Sequence, residues 1–259
     1  MPALSRTRWI AATAAFLITA FASAVAAHAD PNALWNIVHG QCVPDRERHG
    51  DPKPCTEVNL KSGTAGGFAV LKDITGATQF LLIPTKRVTG IEDPAVRAPR
   101  ATNYFAEAWQ ERRLVEKVLG HGMPGDTLSL AVNSELGRSQ NQLHIHIDCV
   151  RADVRDALRS ARAQIGRRWK PLPVLLAGHR YRAMRVTGWS LVGHNPFKLL
   201  ARGLPGASAD MGYHTLVVVG IRFADGASGF VILDDRADPT HGDNAGGEEL
   251  QDHACALGR

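Results

Sequence analysis

The stretch Gln142-Leu-His-Ile-His-Ile-Asp148 constrains this chain more than any other. Polar and apolar residues alternate strictly through it, and a period of two is the pattern of a half-buried β-strand. Side chains two apart on a strand share a face at a spacing of roughly 6.5–7 Å. Gln142, His144, His146 and Asp148 therefore line one face, while Leu143, Ile145 and Ile147 turn toward a core. A lone histidine in such a place reads as a packed or hydrogen-bonded one. Two adjacent imidazoles entered from a polar loop point to a functional site.

The neighbouring sequence supplies a frame for that strand. Leu128-Ser-Leu-Ala-Val132 reads as its hairpin partner, joined through the polar turn Asn133 to Asn141. The turn offers hydroxyl, amide and guanidinium donors, with Arg138 and Ser139 among them, and can cradle an anion. Lys86 and Arg87 lie in a second polar loop. Two further hairpins are expected, Phe68–Asp73 with Gln79–Pro84 and Tyr213–Phe223 with Gly229–Asp234. Helices are expected at 33–39, at 103–119 (capped by Asn103 and stopped by Gly120), at 151–163, and from Pro196 behind Asn195. Trp109 falls on the apolar face of the second of these, so it reads as a core residue rather than a base-stacking platform. The tail beyond Gly246 reads only as polar. The pattern is α+β: an antiparallel sheet built from hairpins, with the 103–119 helix packed on it and the half beyond about residue 151 adding helices and a last hairpin.

Composition bounds the partners. With 44% hydrophobic and 21% charged residues, a chain of 259 residues can bury a sizeable core. The formal net charge of +5 favours anionic partners, yet no Lys/Arg block is dense enough for nucleic acid. An anionic phospholipid surface or a phosphorylated ligand suits the charge equally well. Arg6 and Arg8 precede an uncharged run from Trp9 to Ala27, and Ala27-His28-Ala29 offers a small-x-small cleavage site. Residues 1–29 thus read as a signal peptide or a retained signal anchor. Either way, residues 30–259 are expected on the far side of the inner membrane, in or facing the periplasm. Four cysteines in an oxidising compartment suggest two disulfides, with three pairings possible. The least strained pairs Cys42 with Cys55 and Cys149 with Cys255, tying the tail to the end of the histidine strand.

Three chemistries compete for the histidine pair. A metallo-β-lactamase-like zinc site would continue His-x-His-x-Asp with another histidine, but Cys149 stands there. A simple binding protein needs no such pair. The third is nucleophilic attack by an imidazole on a phosphoryl group, which requires no metal and no cofactor. A neutral ring nitrogen attacks, the second histidine addresses the phosphate, and a carbonyl or carboxylate on the nucleophile's other nitrogen fixes its tautomer.

Gln142-Leu-His-Ile-His-Ile147 resembles the alternating histidine motif of the histidine-triad (HIT) superfamily, with Gln142 in place of the first histidine. Asn133 and Gly137-Arg-Ser-Gln140 resemble its phosphate-binding turn. Further blocks resemble one branch, the CDP-diacylglycerol pyrophosphatase family. They include Leu34-Trp-Asn-Ile-Val-His39, Val70-Leu-Lys-Asp73, Asn103-Tyr-Phe105, Pro196-Phe197 and Gln251-Asp-His-Ala-Cys255, and they span nearly the whole chain after residue 29. The resemblance implies a HIT-like fold and hydrolysis of CDP-diacylglycerol to CMP and phosphatidate. It places His144 as the nucleophile, His146 on the attacked phosphate, and Asn133 and Ser139 on the nucleotide and phosphate. Arg138 is an expected extra phosphate ligand, and Gln142, in the first-histidine position, is expected among the substrate and phosphate contacts. An apolar groove beside His144 would suit the lipid; a closed polar pocket would suit a soluble nucleotide pyrophosphate.

Overall fold

The computed structural model describes residues 30–259. The expected signal segment, residues 1–29, lies outside the described residues. All three expected hairpins form, and they join into one antiparallel sheet. In the first, β2 (Phe68–Lys72) pairs with β3 (Phe80–Pro84), Phe68 opposite Pro84. Its turn passes through Gly76 at φ +66°, a conformation that glycine adopts without a Cβ penalty. In the second, β4 (Leu128–Val132) pairs with β5 (Ile145–Val150), Ala131 opposite His146. The third joins β8 (His214–Arg222) to β9 (Ser228–Arg236). Short edge strands β1 (Glu57–Asn59) and β6 (Lys170–Pro171) flank them, with β7 (Arg182–Thr187) between β9 and β6. The order is β1-β2-β3-β5-β4-β8-β9-β7-β6, so the second half of the chain extends the sheet of the first across the β4–β8 pairing. A last strand, β10 (Gln251–Asp252), pairs with the end of β5.

One face of the sheet carries a continuous apolar core. Phe80, Leu82, Leu130, Ile145, Ile147, Leu216, Val218, Phe230 and Ile232 lie under helices α4 (Tyr104–Glu111), α5 (Arg113–Leu119) and α7 (Pro196–Gly203). Asn103 and Asn195 cap α4 and α7 as expected, their side-chain oxygens accepting from the Ala106 and Lys198 amides. The expected 103–119 helix is divided at Arg112. Its guanidinium donates to the Trp109 carbonyl at 2.5 Å, where the two helices meet. Trp109 is core, packed edge-on to Phe230 at 4.8 Å.

The opposite face is divided. Leu81, Ile83 and Ala69 pack under α1 (Ala33–Ile37), which runs through Val38–Cys42 directly into α2 (Val43–His49) and so continues past the expected end at residue 39. A short turn of helix, α3 (Gly63–Gly66), leads into β2. Farther across, Ala131, Val217, Val219 and Val231 pack under α6 (Ala152–Ala161). Between these two apolar clusters, β5 presents His146 and Asp148. The strand is therefore buried on both faces rather than half-buried, because residues 246–253 of the tail cover its polar side. The pairing Cys149–Cys255, 106 residues apart, fastens that cover, and Cys42–Cys55 closes the N-terminal helices onto their loop.

Candidate active site

The chain leaves the β4–β5 turn through Gln142, Leu143 and His144, and the strand proper begins at Ile145. Gln142 is fully buried. Its carboxamide nitrogen donates to the Pro84 carbonyl at 3.0 Å and the Lys86 carbonyl at 2.9 Å, and its oxygen accepts from the Val88 amide at 3.3 Å. The side chain expected on a phosphate thus serves as a clamp between the lead-in to β5 and the loop after β3. Its backbone matters to the chemistry instead. His144 Nδ1 lies 2.8 Å from the Gln142 carbonyl oxygen. A carbonyl can only accept, so Nδ1 carries the proton and Nε2 carries the lone pair. Burial and then the neighbouring His146 drive the His144 pKa down to about 4, against the opposing pull of the Gln142 carbonyl and Glu248. The ring is neutral at physiological pH, with one nitrogen committed and the other free of protein partners.

His146 sits beside it, ring centroids 4.8 Å apart. Its Nδ1 faces the Glu248 carboxylate at 2.9 Å and the Gln79 carboxamide at 2.7 Å. The carboxylate accepts only and puts the proton on Nδ1, which requires the Gln79 amide to turn its otherwise unpartnered oxygen to the ring, and Nε2, buried and unpartnered, is left as the ring atom available to a ligand. Burial opposes ionisation of Glu248, but its hydrogen bond to His146 and the positive potential of the histidines hold its carboxyl at about 2. One step along the strand, buried Asp148 accepts from Thr78 at 2.6 Å and from its own strand at Cys149 N at 2.8 Å, and its second oxygen faces His253 Nδ1 at 2.8 Å. That hydrogen bond raises the His253 pKa. Gln251 ties the cover down, donating to Ser129 and to the His146 carbonyl.

The expected turn residues separate in place and role. Asn133 is buried beside His144, and its oxygen accepts from the Glu248 amide at 3.2 Å, linking turn to tail. Arg138 lines the same small recess, but its guanidinium is engaged two-pronged by Glu92 at 2.7 and 2.8 Å. The pair lies against Gly90, where a Cβ would sit 2.0 Å from the guanidinium, so only glycine admits it. Burial resists ionisation of Glu92, and the Arg138 pair outweighs it and lowers its pKa. Ser139 is exposed and does not line the recess with His144. The serine that shapes this turn is Ser134, whose hydroxyl accepts from the Leu136 and Gly137 amides at 3.1 and 3.0 Å and donates to the Asn244 carbonyl at 2.5 Å. Arg87 is spent on Asn32 and stacks over Trp35.

Gln79, Glu92, Glu248 and His253 were not singled out by the sequence pattern. One signal pointed to His253: pairing Cys149 with Cys255 brings the residue two before Cys255 to the strand's end. A polar cavity of 560 Å³ meets the site at Asn133, Glu248 and His253. A more apolar one of 400 Å³ begins at Lys86, whose carbonyl Gln142 clamps. A third, of 650 Å³, lies apart, between α7 and the Arg167–Trp169 segment. Among the described residues no helix is long and apolar enough to cross a membrane.

Similarity to known proteins covers this whole region. A CDP-diacylglycerol pyrophosphatase from Yersinia pestis is 42% identical over 226 residues, spanning 87% of this chain and 84% of that protein. The sequence model of the family of that description matches residues 29–259, from the first helix through the histidine strand to the tail that covers it. The chain belongs to the CDP-diacylglycerol pyrophosphatase family.

Proposed function

We propose that this chain is a hydrolase that cleaves the pyrophosphate bond of CDP-diacylglycerol, giving CMP and phosphatidate, and that His144 is its nucleophile. In this reading the lone pair of His144 Nε2 forms a bond to the phosphorus of the cytidylyl group. The bond from that phosphorus to the bridging oxygen breaks, and phosphatidate leaves with the electron pair. The resulting N–P bond is hydrolysed by water, which supplies the oxygen and proton that return CMP and neutral His144. The single observation that carries the proposal is the held tautomer: a buried ring with Nδ1–H on a backbone carbonyl and Nε2 bare. His146 presents Nε2 to a phosphoryl oxygen, and Glu248 orients the ring through Nδ1. Because the carbonyl belongs to the backbone, glutamine at the first motif position leaves the nucleophile's tautomer intact. The same reading takes the sheet as HIT-like, with its second half fused in one chain and residues 30–259 forming a single functional domain.

The net charge of +5 suits an anionic membrane surface. Two disulfides suit an oxidising compartment such as the periplasm, reached through the signal expected at residues 1–29. Of the expected phosphate contacts, Asn133 at the rim is the strongest. Arg138 acts through its remaining guanidinium edge and its field, while Ser139 approaches only from the outside. A second reading, hydrolysis of a soluble nucleotide pyrophosphate by the same histidine, draws on the polar lining of the cavity at Glu248 and His253.

The test is CMP release from detergent-dispersed CDP-diacylglycerol, run beside CDP-alcohols lacking acyl chains. An acid-labile nucleotidyl adduct is trapped in parallel from wild type and His144→Ala. The proposal expects release and an adduct with the lipid in wild type and neither in the variant. Turnover of the soluble analogues alone would favour the second reading, and a fully active His144→Ala would overturn the mechanism.

A further inference from the structure

On the far wall of the polar cavity, four side chains converge that the hydrolytic site does not use. His179 Nδ1 lies 3.6 Å from Asp235 Oδ2, 3.7 Å from Glu249 Oε1 and 3.0 Å from Asp243 Oδ2. No donor satisfies the Asp235 oxygen, although Asp235 is only 6% exposed, and His179 Nδ1 is itself buried without a well-formed hydrogen bond. Both orphaned atoms point into the same small space. Buried polar atoms left without partners are destabilising, so each calls for a ligand.

Asp243 at 3.0 Å is within hydrogen-bond reach of His179, but the spacings to Asp235 and Glu249 are those of ligands rather than of hydrogen bonds. Two donors held about 2.1 Å from one ion at near-tetrahedral angles stand about 3.4–3.6 Å apart. The 3.6 and 3.7 Å separations meet that closely, and the ligand atoms of His179, Asp235 and Glu249 all lie within 4.8 Å of one another. The atoms are also aimed by outer partners. Tyr181 donates its hydroxyl to Glu249 Oε1 at 2.7 Å, the Arg236 amide donates to Asp235 Oδ1 at 2.8 Å, and the Ala245 amide donates to Asp243 Oδ1 at 2.8 Å. Each carboxylate is thereby oriented, as second-shell partners orient metal ligands. Burial first, and then the nearby Asp243 charge, push the Asp235 carboxyl up to about 6, and burial likewise raises Glu249. The cluster carries more negative charge than one histidine relieves.

We propose that His179, Asp235 and Glu249 bind a divalent transition cation of the zinc or manganese class, with Asp243 on its open side facing the cavity. One nitrogen and two or three carboxylate oxygens suit such an ion better than calcium or magnesium, which take oxygen shells. Glu249 follows Glu248 directly, and Asp243 precedes the segment that covers β5. The ion therefore pins the tail that delivers Glu248 to His146. This inference stands apart from the choice of substrate.

The experiment is calorimetric titration of the chelator-stripped full chain with Zn²⁺, repeated with Co²⁺ while following its visible absorption. One equivalent is expected, with a Co²⁺ spectrum of low coordination number and a rise in Tm. His179→Ala and Asp235→Asn are each expected to weaken binding on the order of 100-fold, and Tyr181→Phe about 10-fold. His241→Ala, at an exposed neighbouring histidine, is expected to leave binding unchanged. Tyr181→Phe and the Co²⁺ spectrum keep the test decisive if a ligand variant does not fold. Absence of saturable binding, binding indifferent to Tyr181 and the ligand variants, or loss of binding in His241→Ala would each overturn the proposal.

Discussion

Two buried histidines on the same sheet behave oppositely. His214, at the start of β8, is 2% exposed, with Nδ1 against Asp234 at 2.6 Å and Nε2 against Asp210 at 3.3 Å. Arg182 and Arg236 complete that network by pairing with the same two aspartates. Both ring nitrogens are spent, and the ring is a structural cross-link between β8, β9 and the preceding loop. His144 is nearly as buried, yet it spends one nitrogen on a neutral carbonyl and keeps the other. Burial alone does not make a nucleophile. What distinguishes His144 is the absence of a carboxylate and the unspent lone pair.

That contrast can be broken by substitution. His144→Ala is expected to lower CMP release by about ten-thousand-fold or more, with little change in the urea midpoint. His214→Ala should do the reverse. It should cost about 3 kcal/mol in unfolding free energy, since it strips a buried aspartate of a partner, while turnover per folded molecule stays close to wild type. If a folded His214→Ala protein were inactive, the two histidines would not be separable in this way.

Glu248→Gln, which keeps the shape but removes the carboxylate facing His146, should lower turnover about 100-fold without unfolding the protein. The pH profile sharpens the comparison further. The His144 pKa is about 4 when folded, below its ordinary value of 6.5. The His144 ring therefore stays neutral down to about pH 5, and if it is the nucleophile, kcat/KM should fall only as pH drops through 4. The unfolded chain binds that proton first, so stability from this group is complete above pH 6.5 and declines as pH falls from there toward 4. An acid limb of kcat/KM near pH 6.5 would mean that His144 is solvated in the working enzyme. The smallest effects belong to the turn: Asn133→Ala should cost about 10-fold, and exposed Ser139→Ala no more than about 2-fold.

Much of this was legible before any coordinates. Period-two alternation located β5, and Gly76 and the asparagine caps located turns and helix starts, because these are local interactions. The two apolar clusters that flank the histidine strand were not legible. They depend on which strands become neighbours, and the β4–β8 pairing joins residues almost ninety positions apart. Arg112 is invisible as a break because arginine is a good helix former, and nothing in the local sequence marks the division there. The site was legible in its two histidines and in Asn133, and illegible in Glu248 and Gln79. A glutamate in a polar tail gives no periodic signal. Ser139 and Ser134 show the converse: the motif-like serine lies outside, and the buried one builds the turn.

The Cys149–Cys255 cross-link has a consequence for how such a protein is made. The two histidines of the seam are synthesised about a hundred residues before the glutamate and histidine that complete their network. On the proposed mechanism, a nascent chain paused anywhere in that interval holds His144 beside a His146 that has no carboxylate to orient it and no cover over the pair. Competence comes only with the last stretch of polypeptide and the oxidation that secures it.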